Sequence, residues 1–437
     1  MKVAVIGGGA AGMTAASRVK ALQPSWDVKV FERSNFVSHA PCGIPFYLRG
    51  DAKRLEDLCT YSADYFRRER GIDVHMNAKV TEVKDGVLVV EEGGREREYE
   101  WDVLLFATGS KALKLNSEDL NGIYYLDRME KLEEIKRRVL KAENIVVIGL
   151  GYIGIGIADA IVSLGKRLTI IEAKERPLPE FDAEISAILK LEVEKFAELK
   201  LNESVISFEG KDEVKRVITN KGEYKCDLAI VAIGLEPNTD IAKGFVKLGK
   251  NNAIKTNSRM QTSRENVYAA GDCAETKNLI TGRPDWIPLA VPANKTGYVA
   301  GVNIAGYEMH YPGSIRSQLT SFQNLEIGKV GLSEWEAIRE GYEVVSSFIS
   351  SKSIARYLPD ELIHLKMVAD KSGRVLGVQA IGKGVAMRIY AASAMLYRGC
   401  NVVEAFFTEL PYYPKFSRVW DPIVIAARKI FRKLKIP

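Results

Sequence analysis

Two stretches of the chain repeat one pattern of apolar and glycine positions. The first spans Lys2–Gly12 (KVAVIGGGAAG) and the second spans Asn144–Gly154 (NIVVIGLGYIG). In each, a short apolar run rich in β-branched residues predicts a buried strand, and the glycines that follow lead into a helix-forming segment. A second apolar strand that ends in an acid comes next, over Val28–Glu32 and Leu168–Glu172. The pattern predicts a strand–turn–helix–strand unit that occurs twice in the chain, and hence two parallel-sheet nucleotide-binding domains.

Three further apolar runs predict buried strands that belong to these two domains. Asp102–Gly109 and Asp227–Gly234 each end at a glycine turn, and Asn266–Asp272 contains a shorter strand. We therefore assign residues 1–113 and 240–325 to the first domain, and we assign the inserted residues 114–239 to the second.

The pattern changes after about residue 326. Alternating positions predict strands over Glu343–Ile349 and Leu362–Val368, and Ala386–Arg398 predicts an apolar helix. Residues 326–437 are expected to form a separate α+β domain. The predicted fold class is therefore α/β, with two Rossmann-like dinucleotide-binding domains and this C-terminal domain.

Composition and charge exclude several classes of function. The 437 residues are 46% hydrophobic and 27% charged, which is ordinary for a globular protein. The net charge of +6 arises from 62 basic and 56 acidic residues, an interleaved and mild excess that does not indicate nucleic acid but would favour an anionic ligand. Uninterrupted apolar windows of about 18 residues are missing, so no membrane span is expected.

The five cysteines give a further constraint on the chemistry. They are scattered without a CxxC pair, so the sequence predicts neither a metal site nor a disulfide framework. An odd number of cysteines without a signal peptide indicates a reducing cytoplasm.

Glycine spacing in the first repeat suits a dinucleotide. Gly7 allows the tight turn, Gly9 lets the backbone approach a pyrophosphate, and Gly12 lets the helix pack close to the strand. The start of the helix offers free N–H groups to the phosphates. Glu32 then stands at the end of the second strand, where a carboxylate can accept ribose hydroxyl groups.

The second repeat has the same spacing at Gly149, Gly151 and Gly154, with Glu172 in the position of the acid. An acid there favours NADH because it repels a 2′-phosphate, but the basic residues Lys174 and Arg176 follow closely and leave NADPH open. Two dinucleotide sites on one chain indicate a flavin and a nicotinamide nucleotide.

With these motifs, essentially the whole chain resembles the pyridine nucleotide-disulfide oxidoreductases. The resemblance implies that the first fingerprint holds FAD, the second holds NAD(P)H, and the C-terminal domain forms a homodimer or a dimer of dimers. Ala107–Gly109 and Ala269–Asp272 resemble the family's flavin motifs, and Gly234–Asn238 resembles the loop that closes the nicotinamide domain. Many relatives carry an acid where this chain has Gly156.

The cofactor-binding residues expected on this basis are Gly7, Gly9, Ala10, Ala11, Gly12, Glu32, Arg33, Val80, Ala107, Thr108, Gly109, Gly149, Gly151, Tyr152, Ile153, Gly154, Glu172, Gly234, Asp272 and Ala290.

Cys42 is the expected redox centre. No second cysteine stands five positions away, as it does in members with a dithiol. The segment Ser38–Tyr47 instead resembles the single-cysteine branch, which contains coenzyme A disulfide reductases, NADH oxidases and peroxidases, and archaeal NAD(P)H-dependent sulfur reductases.

The chemistry is coherent without the resemblance. A helix that starts after Gly43 would stabilise a thiolate at Cys42. A lone cysteine must find its oxidised partner in a substrate, as a mixed disulfide, or in oxygen, as a sulfenic acid. The alternative is a cysteine that acts only as a small buried apolar residue, which we expect for Cys59, Cys226, Cys273 and Cys400, with Cys273 near the flavin.

Motifs near the C-terminus favour the coenzyme A disulfide and polysulfide reductases. Glu409–Ser417, continuing through Trp420–Pro422, and Ala355–Pro359 resemble their tyrosine-bearing segments. The resemblance implies that Tyr357 and Tyr412 of one subunit donate hydrogen bonds to the leaving thiolate at its partner's site. Phe416 stands where some relatives have a tyrosine. Interface packing is the alternative role for both tyrosines.

Coenzyme A, as substrate or bound thiol, carries phosphates that need cationic partners. Arg18 and either Arg67 or Arg68 are candidates, unless they only form solvated helix faces. Ser38 and His39 lie beside the expected disulfide, although an ordinary polar role suits His39 equally well.

The sequence predicts that electrons pass from NAD(P)H to FAD and then to a Cys42 mixed disulfide. Reduction of this mixed disulfide releases the product as a free thiol. An oxidase or peroxidase that cycles Cys42 through sulfenic acid is the second hypothesis, and a non-catalytic redox sensor that binds NADH or flavin is the third. The choice among coenzyme A disulfide, polysulfide or sulfur, and oxygen stays open. So do the choices of NADH or NADPH and of dimer or tetramer, and the resting state of Cys42.

Overall fold

The computed structural model describes residues 1–115, 120–359 and 361–435. The strands are β1 Lys2–Ile6, β2 Asp27–Glu32, β3 Asp73–Met76, β4 Ala78–Lys84, β5 Val87–Glu92, β6 Arg95–Glu100, β7 Val103–Phe106, β8 Ser110–Ala112, β9 Ile123–Tyr125, β10 Asn144–Ile148, β11 Arg167–Glu172, β12 Glu198–Leu201, β13 Val205–Gly210, β14 Val214–Thr219, β15 Glu223–Lys225, β16 Leu228–Val231, β17 Leu235–Pro237, β18 Val267–Ala269, β19 Thr276–Lys277, β20 Pro284–Asp285, β21 Gln318–Phe322, β22 Leu325–Gly331, β23 Val344–Lys352, β24 Leu362–Asp370 and β25 Val375–Gly382.

The helices are α1 Ala10–Leu22, α2 Ile44–Arg49, α3 Ala63–Arg70, α4 Leu132–Lys141, α5 Tyr152–Ser163, α6 Ala183–Val193, α7 Ala290–Ile304, α8 Glu334–Arg339, α9 Val385–Tyr397, α10 Val402–Phe407 and α11 Pro422–Lys433. None of the helices in the described ranges is both long enough and apolar enough to cross a membrane.

The first domain is built on a parallel sheet with strand order β18-β7-β1-β2-β3. Strand β7 is apolar and buried throughout, and β1 is apolar and buried after Lys2, as expected where helices cover both faces. Strand β18 comes from the chain after the second domain, so the sheet joins two separate segments of sequence. The α/β class predicted from the sequence is confirmed.

The second domain repeats this arrangement. Its parallel sheet has the order β12-β11-β10-β16-β9, with β10 in the centre as β1 is in the first sheet. Each glycine turn therefore follows a central strand at its carboxyl end, where the strand order reverses and ligands bind in open parallel sheets. A short antiparallel pair, β8 with β17, connects the two domains.

An antiparallel sheet of order β21-β22-β25-β24-β23 forms the C-terminal domain. Helices α9 and α11 pack on it and bury an apolar core. The two strands and the helix predicted here are confirmed with shifted ends. The sheet begins at Gln318, ahead of the boundary predicted at 326, because β21 pairs with β22 through a hairpin.

Candidate active site

One continuous cavity of about 2250 Å³ runs between the two glycine turns. Residues from all three domains line it, including Gly9, Cys42, Gly151 and the 317–321 segment. Pockets for a single drug-sized ligand hold roughly 300 to 1,000 Å³. The cavity therefore has room for more than one ligand at once.

The first glycine turn has the geometry that the fingerprint predicts. Gly7 has a φ of +106°, and its N–H donates to the Phe31 carbonyl oxygen at 2.9 Å. A Cβ at Gly12 would overlap the Gly7 carbonyl oxygen, whereas a Cβ at Gly9 would meet nothing within 4 Å. Gly7 and Gly12 thus serve the turn and the helix contact, and the free space is at Gly9.

The second turn has the same geometry. Gly149 has a φ of +95°, and a Cβ there would lie 2.5 Å from the Ala232 carbonyl oxygen. Added to Gly154, a Cβ would overlap the Gly149 carbonyl oxygen, while the same atom at Gly151 would be in open space. The repeat seen in the sequence is therefore also a repeat of backbone contacts.

Both acids at the strand ends are buried and held by backbone N–H groups. Glu32 accepts from Gly8 at 2.8 Å and from Ser34 at 2.9 Å. Glu172 accepts from the N–H groups of Leu150 and Lys174, both at 2.7 Å. Each carboxylate oxygen keeps a second lone pair, so both acids line the cavity as oriented acceptors for hydroxyl groups.

These features fit two dinucleotides. Helices α1 and α5 begin beside Gly9 and Gly151, and the first N–H groups of a helix have no partner within it. Open space, unpaired donors and an oriented acid stand together at each turn, which is the donor set that a pyrophosphate with an attached ribose requires.

Asp272 stands near the start of α7 on the side of the cavity next to the first turn. Its carboxylate accepts from the Ser110 hydroxyl at 3.1 Å, and burial raises the pKa of Asp272. Thr108 donates through its hydroxyl to the Asn238 carbonyl oxygen at 2.5 Å, which joins the two motifs that flank β8 and β17.

Most of the expected cofactor residues line the cavity. Those that do so are Gly7, Gly9, Ala10, Ala11, Glu32, Arg33, Ala107, Thr108, Gly109, Gly149, Gly151, Tyr152, Ile153, Glu172, Gly234, Asp272 and Ala290. Gly12 and Gly154 act through packing instead. Val80 is buried in β4 and does not line the cavity, whereas its neighbour Lys79 does.

Cys42 is exposed to this cavity from a single 3-10 turn, Pro41–Gly43, which leads directly into α2. The predicted position at the start of a helix is therefore confirmed. A Cβ at Gly43 would lie 2.5 Å from Leu58 Cδ2, so the turn packs tightly on the chain behind it.

Helix α2 packs against α5 of the second domain. A Cβ at Gly156 would lie 3.1 Å from Pro45 Cγ, and Arg49 forms an ion pair with Asp159 at 3.3 Å. The helix that follows Cys42 thus rests on the helix that begins at the second glycine turn. This packing places the thiol where the two nucleotide-binding domains meet.

Two predicted neighbours of Cys42 lie on the irregular segment before it. Ser38 adopts a φ of +51° and its N–H donates to the Gly8 carbonyl oxygen at 2.8 Å. His39 is mostly buried, and this burial lowers its pKa. Its Nδ1 has no hydrogen-bond partner among the described residues. Both residues line the cavity.

The expected substrate arginines separate into two groups. Arg18 lines the cavity, with its guanidinium 4.9 Å from the Tyr298 ring centre and its Nε buried without a partner among the described residues. Arg67 instead donates to the Val74 carbonyl oxygen, at 2.5 Å and 3.2 Å, and so stabilises the contact between α3 and β3. Arg70, three residues on, is the arginine of α3 that reaches the cavity.

The structure also brings residues to the cavity that the sequence patterns did not identify. Tyr61 and Tyr65 stack with ring centres 4.5 Å apart and line it beside Arg70. Glu180 lines the opposite end, and burial raises its pKa. The sequence pattern does not single out Arg70 among the three arginines of α3, and it does not point to Glu180, which lies in an irregular loop.

Tyr357 and Tyr412 lie outside the cavity of their own chain. Both are exposed on the C-terminal domain, and a hydrogen bond with Tyr412 raises the pKa of Tyr357. The structure thus brings the two hydroxyls together in the segments 355–359 and 409–417, and no residue of either segment lines the Cys42 cavity of the same chain.

Comparison with known proteins adds to this geometry. The family described as Pyridine nucleotide-disulphide oxidoreductase matches residues 1–297, and its dimerisation domain matches residues 317–422. An NAD(P)H sulfur oxidoreductase (CoA-dependent) from Pyrococcus abyssi is 48% identical over 434 residues, covering 98% of this chain and 97% of the relative. An NADH oxidase from Methanocaldococcus jannaschii is 31% identical and covers 99% of each chain.

Among solved structures, an NAD-dependent persulfide reductase from A. fulgidus superposes with a TM-score of 0.96 at 33% sequence identity. The match covers 100% of this chain and 84% of that one.

Proposed function

The chain belongs to the pyridine nucleotide-disulphide oxidoreductase family, and we propose on this basis that it is an FAD-dependent NAD(P)H reductase of coenzyme A disulfide or polysulfide. The observation that carries the proposal is the place of Cys42, exposed in one cavity between two complete dinucleotide turns. The similarity to a CoA-dependent sulfur oxidoreductase over almost the whole chain supports the substrate class.

The chain's own residues would hold each component. The first turn with Glu32 and Asp272 binds FAD, and the second turn with Glu172 binds NAD(P)H. FAD, when bound, supplies two-electron transfer from the nicotinamide to sulfur. Arg18 and Arg70 bind phosphate groups of coenzyme A, and the Tyr61–Tyr65 stack offers an aromatic face to its adenine.

Cys42 performs the covalent step. Its thiolate attacks one sulfur of the substrate disulfide, a mixed disulfide forms, and the other sulfur leaves as a thiolate. Tyr357 and Tyr412 of the partner subunit donate the hydrogen bond that the leaving thiolate needs. Two electrons and two protons then return Cys42 to its reduced state and release the second thiol.

Cytoplasm is the compartment that we propose, since all five cysteines are free and a reducing environment would keep them so.

Replacement of Cys42 by serine tests the proposal. Because the cavity and both glycine turns remain, Cys42→Ser should retain FAD, seen in its visible spectrum, and lose NAD(P)H-dependent reduction of coenzyme A disulfide by a factor of about 10³ or more. Cys226→Ser, at a buried site away from the cavity, is the matched control and should keep the parent rate. Parent-like turnover by Cys42→Ser would refute the mechanism.

Oxygen reduction is the second candidate, because the chain is also similar over its full length to an NADH oxidase. In that reaction Cys42 would pass through a sulfenic acid. Steady NADH-dependent oxygen consumption without any disulfide would favour it, while an NADH titration that exposes no new thiol and gives no turnover would indicate a binding protein.

A further inference from the structure

The excess of basic over acidic residues lies near the C-terminus of the chain. Residues 411–437 contain seven of the 62 basic residues and one of the 56 acidic residues, so the other 410 residues are balanced at 55 of each. The single acid, Asp421, is buried and paired with Arg388 at 2.9 Å. The net +6 of the whole chain therefore resides in this one segment, rather than being interleaved along the sequence.

Part of this charge lines a pocket of about 530 Å³ between β23, the 355–359 loop and α11. Arg356, Arg418 and Lys429 contribute cationic groups, and Ser350 and Ser351 contribute hydroxyls. Lys352 also lines the pocket and donates to the Arg356 carbonyl oxygen at 3.2 Å, which holds the loop against the strand.

Arg356, Arg418 and Lys429 all line this one pocket. In the described part of the chain, no carboxylate lies within ion-pair distance of Arg356, Arg418 or Lys429. The Arg418 guanidinium donates to the Ser351 hydroxyl at 2.5 Å and is thereby fixed at the pocket wall. Unpaired cations held close together repel each other, and an anion between them removes this repulsion.

The chemistry of the pocket suits phosphate. Guanidinium forks match phosphate oxygens, and an ammonium adds a point charge. No aromatic ring belongs to the lining, so the stacking surface used by proteins that bind single-stranded nucleic acid is missing from it.

We propose that this pocket is a second ligand site, separate from the Cys42 cavity, which binds a phosphate group of a small anionic molecule. The site does not depend on the proposed reaction. Its ligand is either a phosphate of coenzyme A or a separate phosphorylated molecule. The two sources share the same recognition chemistry.

Calorimetric titration of the protein loaded with both FAD and NAD⁺, so that both glycine turns are occupied, with inorganic pyrophosphate at fixed ionic strength tests the site. Arg418→Gln/Lys429→Gln should weaken binding by about tenfold or more, since each removes a charged hydrogen bond. The matched control is Arg432→Gln/Lys435→Gln, which removes one arginine and one lysine from the same end of the chain outside the pocket and should bind like the parent. Arg356→Gln alone gives an independent check.

Equal weakening in both double variants would show a diffuse charge effect and overturn the site. Loss of pyrophosphate binding in Arg18→Gln, with Arg418→Gln/Lys429→Gln unchanged, would also overturn it by assigning the binding to the Cys42 cavity. The site would also be overturned if the variant Arg356→Gln and the variant Arg418→Gln/Lys429→Gln both bound pyrophosphate like the parent.

Addition of coenzyme A distinguishes the two sources of phosphate. If coenzyme A competes with pyrophosphate and the KM for coenzyme A disulfide rises in Arg418→Gln/Lys429→Gln, the pocket holds the substrate's phosphate. Pocket-dependent pyrophosphate binding without competition assigns it to a separate molecule. Absence of NAD(P)H-dependent reduction of both coenzyme A disulfide and polysulfide by the parent would refute the proposed function and leave this binding result standing.

Discussion

Exposure separates Cys42 from the four other cysteines. Cys42 is open to the cavity, Cys59 is half-buried, and the other three are buried. Burial raises the pKa of Cys226 to about 12 and that of Cys400 to about 11, and it also raises the pKa of Cys59 and Cys273. The reactive form of a cysteine is the thiolate, so these four thiols are held in the unreactive form at neutral pH.

Selective alkylation follows from this difference. At pH 8, iodoacetamide should modify Cys42 at least about tenfold faster than any other cysteine, because the others are protonated and shielded. Peptide mass spectrometry over a time course measures the five rates. Comparable early labelling of Cys59 or Cys226 would contradict the assignment of Cys42 as the reactive thiol.

The two glycine turns are the elements that organise the site, and within each turn the glycines have different tasks. Gly154 lets α5 approach β10, where any Cβ would overlap the Gly149 carbonyl oxygen. Gly151 has a φ of −80° and open space around it, so alanine fits there without strain. Gly154 is therefore needed for the packing of the fold, whereas Gly151 leaves space for the ligand.

Alanine at each position separates these tasks. Gly154→Ala should lower the free energy of unfolding by about 2 kcal/mol, since a methyl group has no room there. Gly151→Ala should unfold like the parent but bind NAD(P)H more weakly by about tenfold, because the methyl group occupies the space next to the pyrophosphate. Chemical denaturation and nucleotide titration give the two quantities, and equal stability of both variants would contradict this division.

Across the whole molecule, an ionic network around the buried Lys329 and Lys366 joins the second domain to the C-terminal domain. Lys366 contacts Glu184 at 2.8 Å and Glu334 at 2.7 Å, and Lys329 donates to Glu336 at 2.5 Å and to the Glu180 carbonyl oxygen at 2.7 Å. Burial alone would raise the pKa of Glu336, but the charges of Lys329 and Arg316 outweigh it and hold that pKa below its ordinary value of 4.5.

A carboxyl whose pKa is lowered by folding adds stability above its unfolded pKa and loses it as the pH falls through the folded value. The free energy of unfolding of the parent should therefore fall below about pH 4.5. Glu336→Gln should be less stable than the parent at pH 7, but its free energy of unfolding should fall by about 1 kcal/mol less than that of the parent when the pH is lowered. Denaturation at pH 7, 5 and 4 measures this, with the exposed Glu265→Gln as control. A parallel pH dependence in Glu336→Gln and the parent would contradict it.

Assembly decides whether the tyrosines act at the active site. Mixed dimers of Cys42→Ser and Tyr357→Phe/Tyr412→Phe chains would contain one complete site if the tyrosines serve the partner subunit. We expect such purified mixed dimers to reach about half of the parental rate per dimer. Neither homodimer should do so. Absence of complementation, with both chains retaining FAD, would place the tyrosines elsewhere.

The sequence by itself determined the α/β class, the duplicated units and the cysteine, because strand periodicity, glycine spacing and acid position depend on neighbours along the chain. Gly7, Glu32, Gly149 and Glu172 are therefore all found where the pattern predicts them. Only the tertiary structure decided which arginine of α3 meets the cavity, since Arg67 is taken up by a carbonyl oxygen from β3. It likewise placed β21 in the C-terminal sheet and gathered Arg356, Arg418 and Lys429 around one pocket. Such contacts join residues far apart in sequence, and no local periodicity records them.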